Sequence, residues 1–395
     1  MLREETAAEQ AFRADVRRWL EANLPRELRN ANNRLTPKEL KPWFKTLGEK
    51  GWAAPHWPTE HGGIDATPVQ QVILIEELAR IGAPDLPNQG LTHISPILIK
   101  YGTPEQKAQH LHKARTGEAI WAQGYSEPGS GSDLRSLRTK AVVAGDKLII
   151  NGHKIWTTGA HYADWLYLLV RTGSDPKARD SITLVLVDAK TPGVTPRGIV
   201  TLAGDDELCE VFLDNVEVPV GNVLGKIGEG WTIGTALLGE ERIRSGTPIH
   251  ALRALHRLRQ AARHTGADRD PWMQDQIARA EIEVHALEAA FLEALEAQAA
   301  GEAEFEDSSR LKIYGSEVTQ FVLEVLQAVS GAHAAIRAPR VGNDDTPDFS
   351  TLFLQSRRLS IRGGTNEIQR GIIAMRALGL ERPPSGGGTR GGGNA

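Results

Sequence analysis

The hydrophobic pattern of this chain changes period twice, and that limits the possible folds more than any single motif does. Between residues 1 and 118 apolar residues recur at helical spacing: Phe12, Val16, Trp19 and Leu20 share one helix face. "TPVQQVILIEELARIGAP" predicts a second strong helix, with Thr67 as N-cap, Pro68 at its first position and Gly82 near its stop. From 119 to 225 the texture becomes short β-branched and aromatic runs broken by glycine, among them "KLIINGHKIWTT", "DWLYLLVRT", "SITLVLVD" and "EVFLDNVEVP". Runs without intervening helices predict an antiparallel sheet or barrel rather than βαβ units. Helical spacing returns from 226 to 382, including "DQIARAEIEVHALEAAFLEALEAQAA", which starts near Asp270 and Pro271. Apolar nearly all round, that helix is expected inside a bundle or at a subunit interface. The tail 383–395 is rich in glycine, lacks side chains for a core and is expected to be disordered. The fold class is therefore mainly α with a β middle domain. At 395 residues, a chain of two or three packed domains is the expected size class.

Composition removes several function classes. A formal charge of −4 offers no basic stripe for nucleic acid, and the local patch "RALHRLRQAAR" reads as the solvated face of a helix. Cys209 is the only cysteine, so internal disulfides and thiolate metal cages are excluded. Lying in "LCEVFLD" with no histidine close in sequence, it reads as a buried strand residue. The charged N-terminal stretch has no signal-peptide core, and no stretch approaches the roughly 20 apolar residues of a membrane span, so a cytoplasmic protein is expected. The histidines show no zinc spacing, and neither a phosphate-binding Walker loop nor a G-x-S-x-G elbow occurs, so no metal site is expected.

Four stretches carry candidate chemistry. In "GYSEPGSGSDLRS" (124–136), Gly129 and Gly131 allow close backbone approach while Ser126, Ser130 and Ser132 supply hydroxyls for phosphate or ring polar atoms. In "NGHKIWTTGAHYADW", strand alternation puts the Trp156 ring and the Thr158 hydroxyl on one side of the sheet, where they can meet a planar cofactor. In "ALLGEERIR", Glu241 follows Leu237 by four and Leu238 by three, an apolar setting that raises a carboxyl toward general-base range. Glu240 has an equal claim from Ala236 and Leu237, and periodicity does not choose. "SGTP" (245–248) places a proline soon afterwards and predicts a kink. Finally, "IRGGTNEIQR" presents Thr365 as an N-cap, with Gly363 and Gly364 leaving bare amides before the helix.

Taken in this order, "GYSEPGSGSD", "NGHKIWTTGA", "VFLDNVEVPVGNVLG", "GEERI" and "GGTNEIQR" resemble the acyl-CoA dehydrogenase family, and the likeness runs from residue 51 to 380. The resemblance implies an N-terminal helical domain, a β-barrel-like middle domain and a C-terminal four-helix bundle, with FAD lying between subunits and domains. It implies that Tyr125 and Ser126 contact the flavin ring, that Gly131 belongs to the cofactor loop, and that Ser132 meets the FAD phosphates or the pantetheine chain. Trp156 would lie against the isoalloxazine and Thr158 at its N5 region, while Thr365 and Glu367 would meet FAD at the helix entrance. Arg263, Gln327 and Gly331 would reach it from a neighbouring chain. Many members carry their catalytic glutamate where this chain has Gly363. Others carry it in an "ER" pair on an earlier helix, matched here by Glu241 and Arg242, which favours Glu241 over Glu240.

The activity implied is FAD-dependent α,β-dehydrogenation of an acyl-CoA. Glu241 would take the α-proton and Gly363 N–H would polarise the thioester, with Arg242 and Ser132 also at the substrate. Electrons would pass to an electron-transfer flavoprotein. A homotetramer is expected, with a hetero-oligomer as the other possibility. Arg362, beside the vacant glutamate position, is expected to pair with a carboxylate such as Glu241, to meet a polar acyl chain, or to face solvent. Two rival readings keep the fold and change the function: a flavin monooxygenase or oxidase, and a non-catalytic subunit of a hetero-oligomeric dehydrogenase.

Overall fold

The computed structural model describes residues 4–31, 35–175, 178–335 and 348–380; the side chains of residues 239–242, 244, 245 and 305 lie outside that description. The expected disorder of the tail at 383–395 also falls outside the described residues. In the N-terminal region lie α1 (Ala7–Asn23), α2 (Pro37–Glu49), α3 (Pro68–Arg80), α4 (Ser95–Tyr101) and α5 (Pro104–Arg115). One local device starts four of them. Thr6, Thr36, Thr67 and Thr103 each accept the N3 amide, and the N3 Glu or Gln reaches back to the cap. Each such cap contributes about 0.5 to 2 kcal/mol. Val16, Leu20, Trp43, Leu47, Trp52 and Leu74 form a common core beneath these helices.

A buried carboxylate fastens α1 to α3. Glu77 is 1% exposed and accepts from Arg17 at 2.7 Å, Arg80 at 2.6 Å and Arg13 at 3.1 Å. Burial alone would push its carboxyl up, but the bonds from Arg17, Arg80 and Arg13 outweigh burial and hold it at about 2. A folded-state pKa below the unfolded 4.5 means that the stabilisation is complete above that pH and is lost as pH falls toward 2. The amount is on the order of 3 kcal/mol. Urea unfolding of wild type and Glu77→Gln across that acid range should therefore show the gap between them closing as pH falls. A gap that stays constant would show that the carboxylate contributes no such linkage.

The middle region contains β1 (Trp121–Gly124), β2 (Lys140–Ala144), β3 (Lys147–Thr158), β4 (Trp165–Arg171), β5 (Ile182–Asp188), β6 (Val194–Ile199) and β7 (Leu208–Pro219). They form one sheet in the order β1-β4-β2-β3-β7-β6, with β5 on the other side of β4. The expected antiparallel sheet is observed with one modification: β1 pairs parallel to β4, and β2 touches β4 in parallel at Lys140 and Arg171. Leu148, Ile150, Leu166, Leu168, Val185, Val187 and Val211 fill its core.

Helices α6 (Gly230–Ser245), α7 (Ile249–Thr265), α8 (Pro271–Ala300) and α9 (Phe305–Ser330) pack together, and α10 (Phe349–Ser356) and α11 (Asn366–Arg376) lie on α9. One expectation changes here. The "SGTP" stretch separates α6 from α7 instead of kinking one helix. On α8, Val284, Leu287, Phe291 and Leu295 are buried, whereas Ile282 is 66% and Trp272 61% exposed, so its apolar surface is only partly covered within one chain. Among the described residues no helix is long and apolar enough to cross a membrane.

Candidate functional site

The first half of the site is a loop held open by its own backbone. After β1, Glu127 and Ser130 exchange amide hydrogen bonds of 2.8 and 3.0 Å, and the Ser130 hydroxyl donates to Asp133 O at 2.8 Å. A Cβ on Gly129 or Gly131 would meet nothing within 4 Å, so both glycines face open space rather than packed protein. Tyr125 is buried, Ser126 half-buried and Ser132 exposed.

Beside this loop β3 breaks its register. Its pairing with β7 shifts between Lys154 and Thr157, and Trp156 within the bulge has φ +61°. A bulky aromatic in the left-handed region costs roughly 1 to 3 kcal/mol, and such residues persist where the surroundings over-determine them. The bulge departs from simple alternation: Thr157 is fully buried, with Trp156 at 56% exposure before it and half-buried Thr158 after it. The sheet thus carries an uncovered indole next to an open glycine loop.

Two residues that sequence reasoning passed over secure this face. Lys154 is fully buried, and its ammonium donates to Glu127 at 2.8 Å, Leu169 O at 2.7 Å and Tyr125 O at 3.2 Å. Glu127 in turn accepts the amides of Arg138 at 2.6 Å and Thr139 at 2.9 Å. Burial pushes the Lys154 ammonium down, and Glu127 offsets this only in part, leaving it at about 8. Burial would raise the Glu127 carboxyl, but the Lys154 charge and these hydrogen bonds hold it below its ordinary value. The signal was present in the alternation of β3, which puts Lys154 in step with buried Leu148 and Ile150.

The second half is the entrance to α11. Thr365 caps the helix by accepting the Ile368 amide at 3.2 Å, and Gly363 and Gly364 have φ of +66° and +82°. Asn366 is buried and accepts from the buried Lys312 at 2.7 Å, which ties this entrance to α9. Glu367 is exposed; a hydrogen bond to its own backbone amide, then one from Thr365, lowers its carboxyl from the ordinary value. On α6, Ile233 and Leu237 are buried, and Glu241 lies one turn beyond Leu237. The side chains of Glu240, Glu241 and Arg242 lie outside the described residues.

Glu207 joins the halves. Its carbonyl accepts from Gly159 N at 2.7 Å, next to Thr158, and its carboxylate pairs with Arg358 at 2.7 Å, five residues before Gly363. Gln355 also donates to Asp205 at 2.9 Å. Arg362 contributes charge to a different carboxylate: burial would raise Asp85, but Arg253, His250 and Arg362 hold it at about 2. The three remaining cofactor candidates lie elsewhere. Arg263 is exposed near the end of α7, Gln327 lies about 16 Å along α9 from Ser316, which bonds Asn366, and Gly331 is the residue just past the end of α9. Gln327 Nε2 is enclosed without a hydrogen-bond partner among the described residues, and a Cβ on Gly331 would meet nothing within 4 Å. Cys209 is buried as expected, yet the fold brings His161 Nδ1 to 2.8 Å from its Sγ, a neighbour invisible at 48 residues' separation. Burial raises that thiol above its usual range. No group of three or more His, Cys, Asp or Glu suited to a metal occurs among the described residues.

An exposed ring, an open glycine loop and hydroxyls at both suit a long cofactor with a flat ring and a phosphate chain. Three family models match in order: acyl-CoA dehydrogenase N-terminal domain at residues 6–118, middle domain at 122–216 and C-terminal domain at 228–378. The Acyl-CoA dehydrogenase IpdE1 of Mycobacterium tuberculosis is 35% identical over 387 residues, covering 95% of this chain and 98% of that one. The structure described as the Tcur3481-Tcur3483 steroid ACAD superposes with a TM-score of 0.83 at 31% identity, covering 96% of this chain and 99% of that chain. The ChsE4-ChsE5 complex from Mycobacterium tuberculosis gives 0.81 at 29% identity, covering 97% and 100%.

Proposed function

The chain belongs to the acyl-CoA dehydrogenase family, and from that premise we propose that it introduces an α,β double bond into a ring-bearing acyl-CoA thioester, with FAD as the resident cofactor. The observation that carries the cofactor side is Trp156, held uncovered in a strained bulge beside the open 125–132 loop. Tyr125, Ser126, Trp156 and Thr158 would hold the flavin ring, with Gly131 and Ser132 along the phosphates or pantetheine. When bound, FAD supplies the acceptor for the β-hydride. Glu241 removes the α-proton. The Gly363 amide donates to the thioester oxygen, which gains negative charge as that proton leaves. Thr365 and Glu367 would meet the cofactor at the α11 entrance, and Arg242 the substrate.

Gln327 Nε2 without a partner among the described residues and the open space at Gly331 support assigning these two, with the exposed Arg263, to the FAD of a neighbouring subunit, as the family pattern implies. Support for an oligomer of two kinds of chain comes from relatives described as two-component assemblies. The ring-bearing substrate class draws on a relative described as a steroid ACAD, and a glycine at 363 leaves side-chain space beside the thioester. Electrons would leave through an electron-transfer flavoprotein. Anaerobic titration of the purified protein with straight-chain and steroid-ring acyl-CoAs tests the reading. Ring-bearing thioesters should bleach the flavin with a second-order rate constant of reduction about tenfold or more above that of straight-chain ones. Equal rates would remove the ring from the proposal.

A further inference from the structure

We propose that the buried pair of Lys154 and Glu127 is the positioning element of the cofactor face, holding Trp156 and the 125–132 loop in mutual register. The inference rests on the reading that FAD binds at Trp156. Three facts carry it. The Lys154 ammonium meets three oxygens from three places: the Tyr125 carbonyl at the start of the loop, the Glu127 carboxylate within it, and the Leu169 carbonyl on β4. Glu127 extends the tie to the amides of Arg138 and Thr139, which lead into β2. The loop is also bonded directly to the bulge, since Ile155 N donates to Ser126 O at 3.0 Å.

Trp156 therefore stands between two fixed points, with fully buried Lys154 two residues before it and fully buried Thr157 directly after it. Among the described residues no hydrogen bond to the indole itself holds it in the left-handed conformation; the constraint comes from its neighbours. A lysine charge at a core position of a strand is unfavourable unless it is fully satisfied, and here the satisfying groups belong to the loop and to β4, a strand that does not pair with β3. Removing the charges leaves the Ile155–Ser126 backbone bond as the tie between loop and bulge and loosens their mutual register. The sheet keeps its ladder, because Lys154 and Thr157 pair through the backbone with Val211 and Cys209.

The test is a double-mutant cycle on cofactor affinity, read by flavin fluorescence as FAD is titrated into apoprotein. Lys154→Met with Glu127→Gln removes both charges at near-constant shape, and Trp156→Ala removes the ring. The charge-free pair should weaken FAD binding about tenfold, and by less than about threefold when Trp156 is already alanine. The thermal midpoint of the apoprotein should fall only modestly, because removing both partners leaves no buried unpaired charge and only the Tyr125 and Leu169 carbonyls lose a donor. An equal loss of affinity in both backgrounds, or unchanged affinity with a lowered apoprotein midpoint, would overturn the positioning role. If the charge-free protein fails to fold, Glu127→Gln alone is measured against Trp156→Ala in the same cycle, with the same expected inequality. Trp156→Ala that binds FAD as tightly as wild type would instead overturn the cofactor reading on which the inference rests.

Discussion

Glu241→Gln should yield a protein that retains its flavin and binds acyl-CoA but reduces the flavin about 10² to 10⁴ times more slowly, the loss expected when a general base is removed. Glutamine has the shape of the carboxylate without its basicity, so binding persists and proton abstraction does not. The choice of Glu241 over Glu240 rests on helix register and on the family match: Ile233, Leu237 and position 241 follow one another at intervals of four on α6, and the first two are buried. Glu240→Gln should leave the rate within about threefold of wild type. Stopped-flow flavin reduction under anaerobic conditions separates the two variants. The reverse pattern would move the base to 240.

The second large effect is expected far from any chemical group. At the end of α6, Gly246 lies against α9 so closely that a Cβ on Gly315 would meet Gly246 Cα at 2.9 Å, and one on Gly246 would meet Leu311 O at 2.8 Å. Both obstacles are backbone, so neither moves aside cheaply. Gly315→Val should destabilise the protein by about 1 to 3 kcal/mol or more, as overpacking does, and should shift α6, whose position 241 lies five residues before Gly246. Flavin reduction should slow even at temperatures where the variant remains folded. Gly371→Ala is the matched control: it sits in α11 with nothing within 4 Å of an added Cβ, and should be neutral or stabilising. Thermal unfolding and single-turnover rates measured on both variants test this; a Gly315→Val protein with wild-type stability would mean that the helix crossing yields easily.

What was legible in the sequence follows the range of the interaction that encodes it. The cap of α3 at Thr67 with Pro68 is written in adjacent residues, and so are the caps of α2 and α5. The change of hydrophobic period near 119 and 226 is likewise local, which is why the domain order could be read. The Trp156 bulge was not, because a register shift belongs to the pairing of β3 with β7, whose partner residues lie some fifty or more positions later. Alternation alone put Trp156 and Thr158 on one side, whereas the structure has a register shift just before Thr157, with Trp156 exposed and Thr158 half-buried. The Lys154 position was readable as a charge in step with Leu148 and Ile150, but its partner Glu127, 27 residues earlier, was not. Glu207 with Arg358, 151 residues apart, and His161 with Cys209 are products of tertiary folding that no local pattern announces. The nearly all-round apolar pattern of α8 showed that much of it must be covered, and the exposed Ile282 and Trp272 show where one chain leaves that cover incomplete.

The central claim is that this chain, through Glu241 and a flavin seated on Trp156, converts a saturated acyl thioester into its α,β-enoyl form. The most direct measurement mixes the purified yellow protein with a steroid-ring acyl-CoA in the absence of oxygen, follows the flavin absorbance, and determines the mass of the thioester afterwards. The account predicts bleaching without oxygen and one thioester lighter by two hydrogens for each flavin reduced. A flavin that stays oxidised, or a product that forms only when oxygen is admitted and gains an oxygen atom, would contradict it.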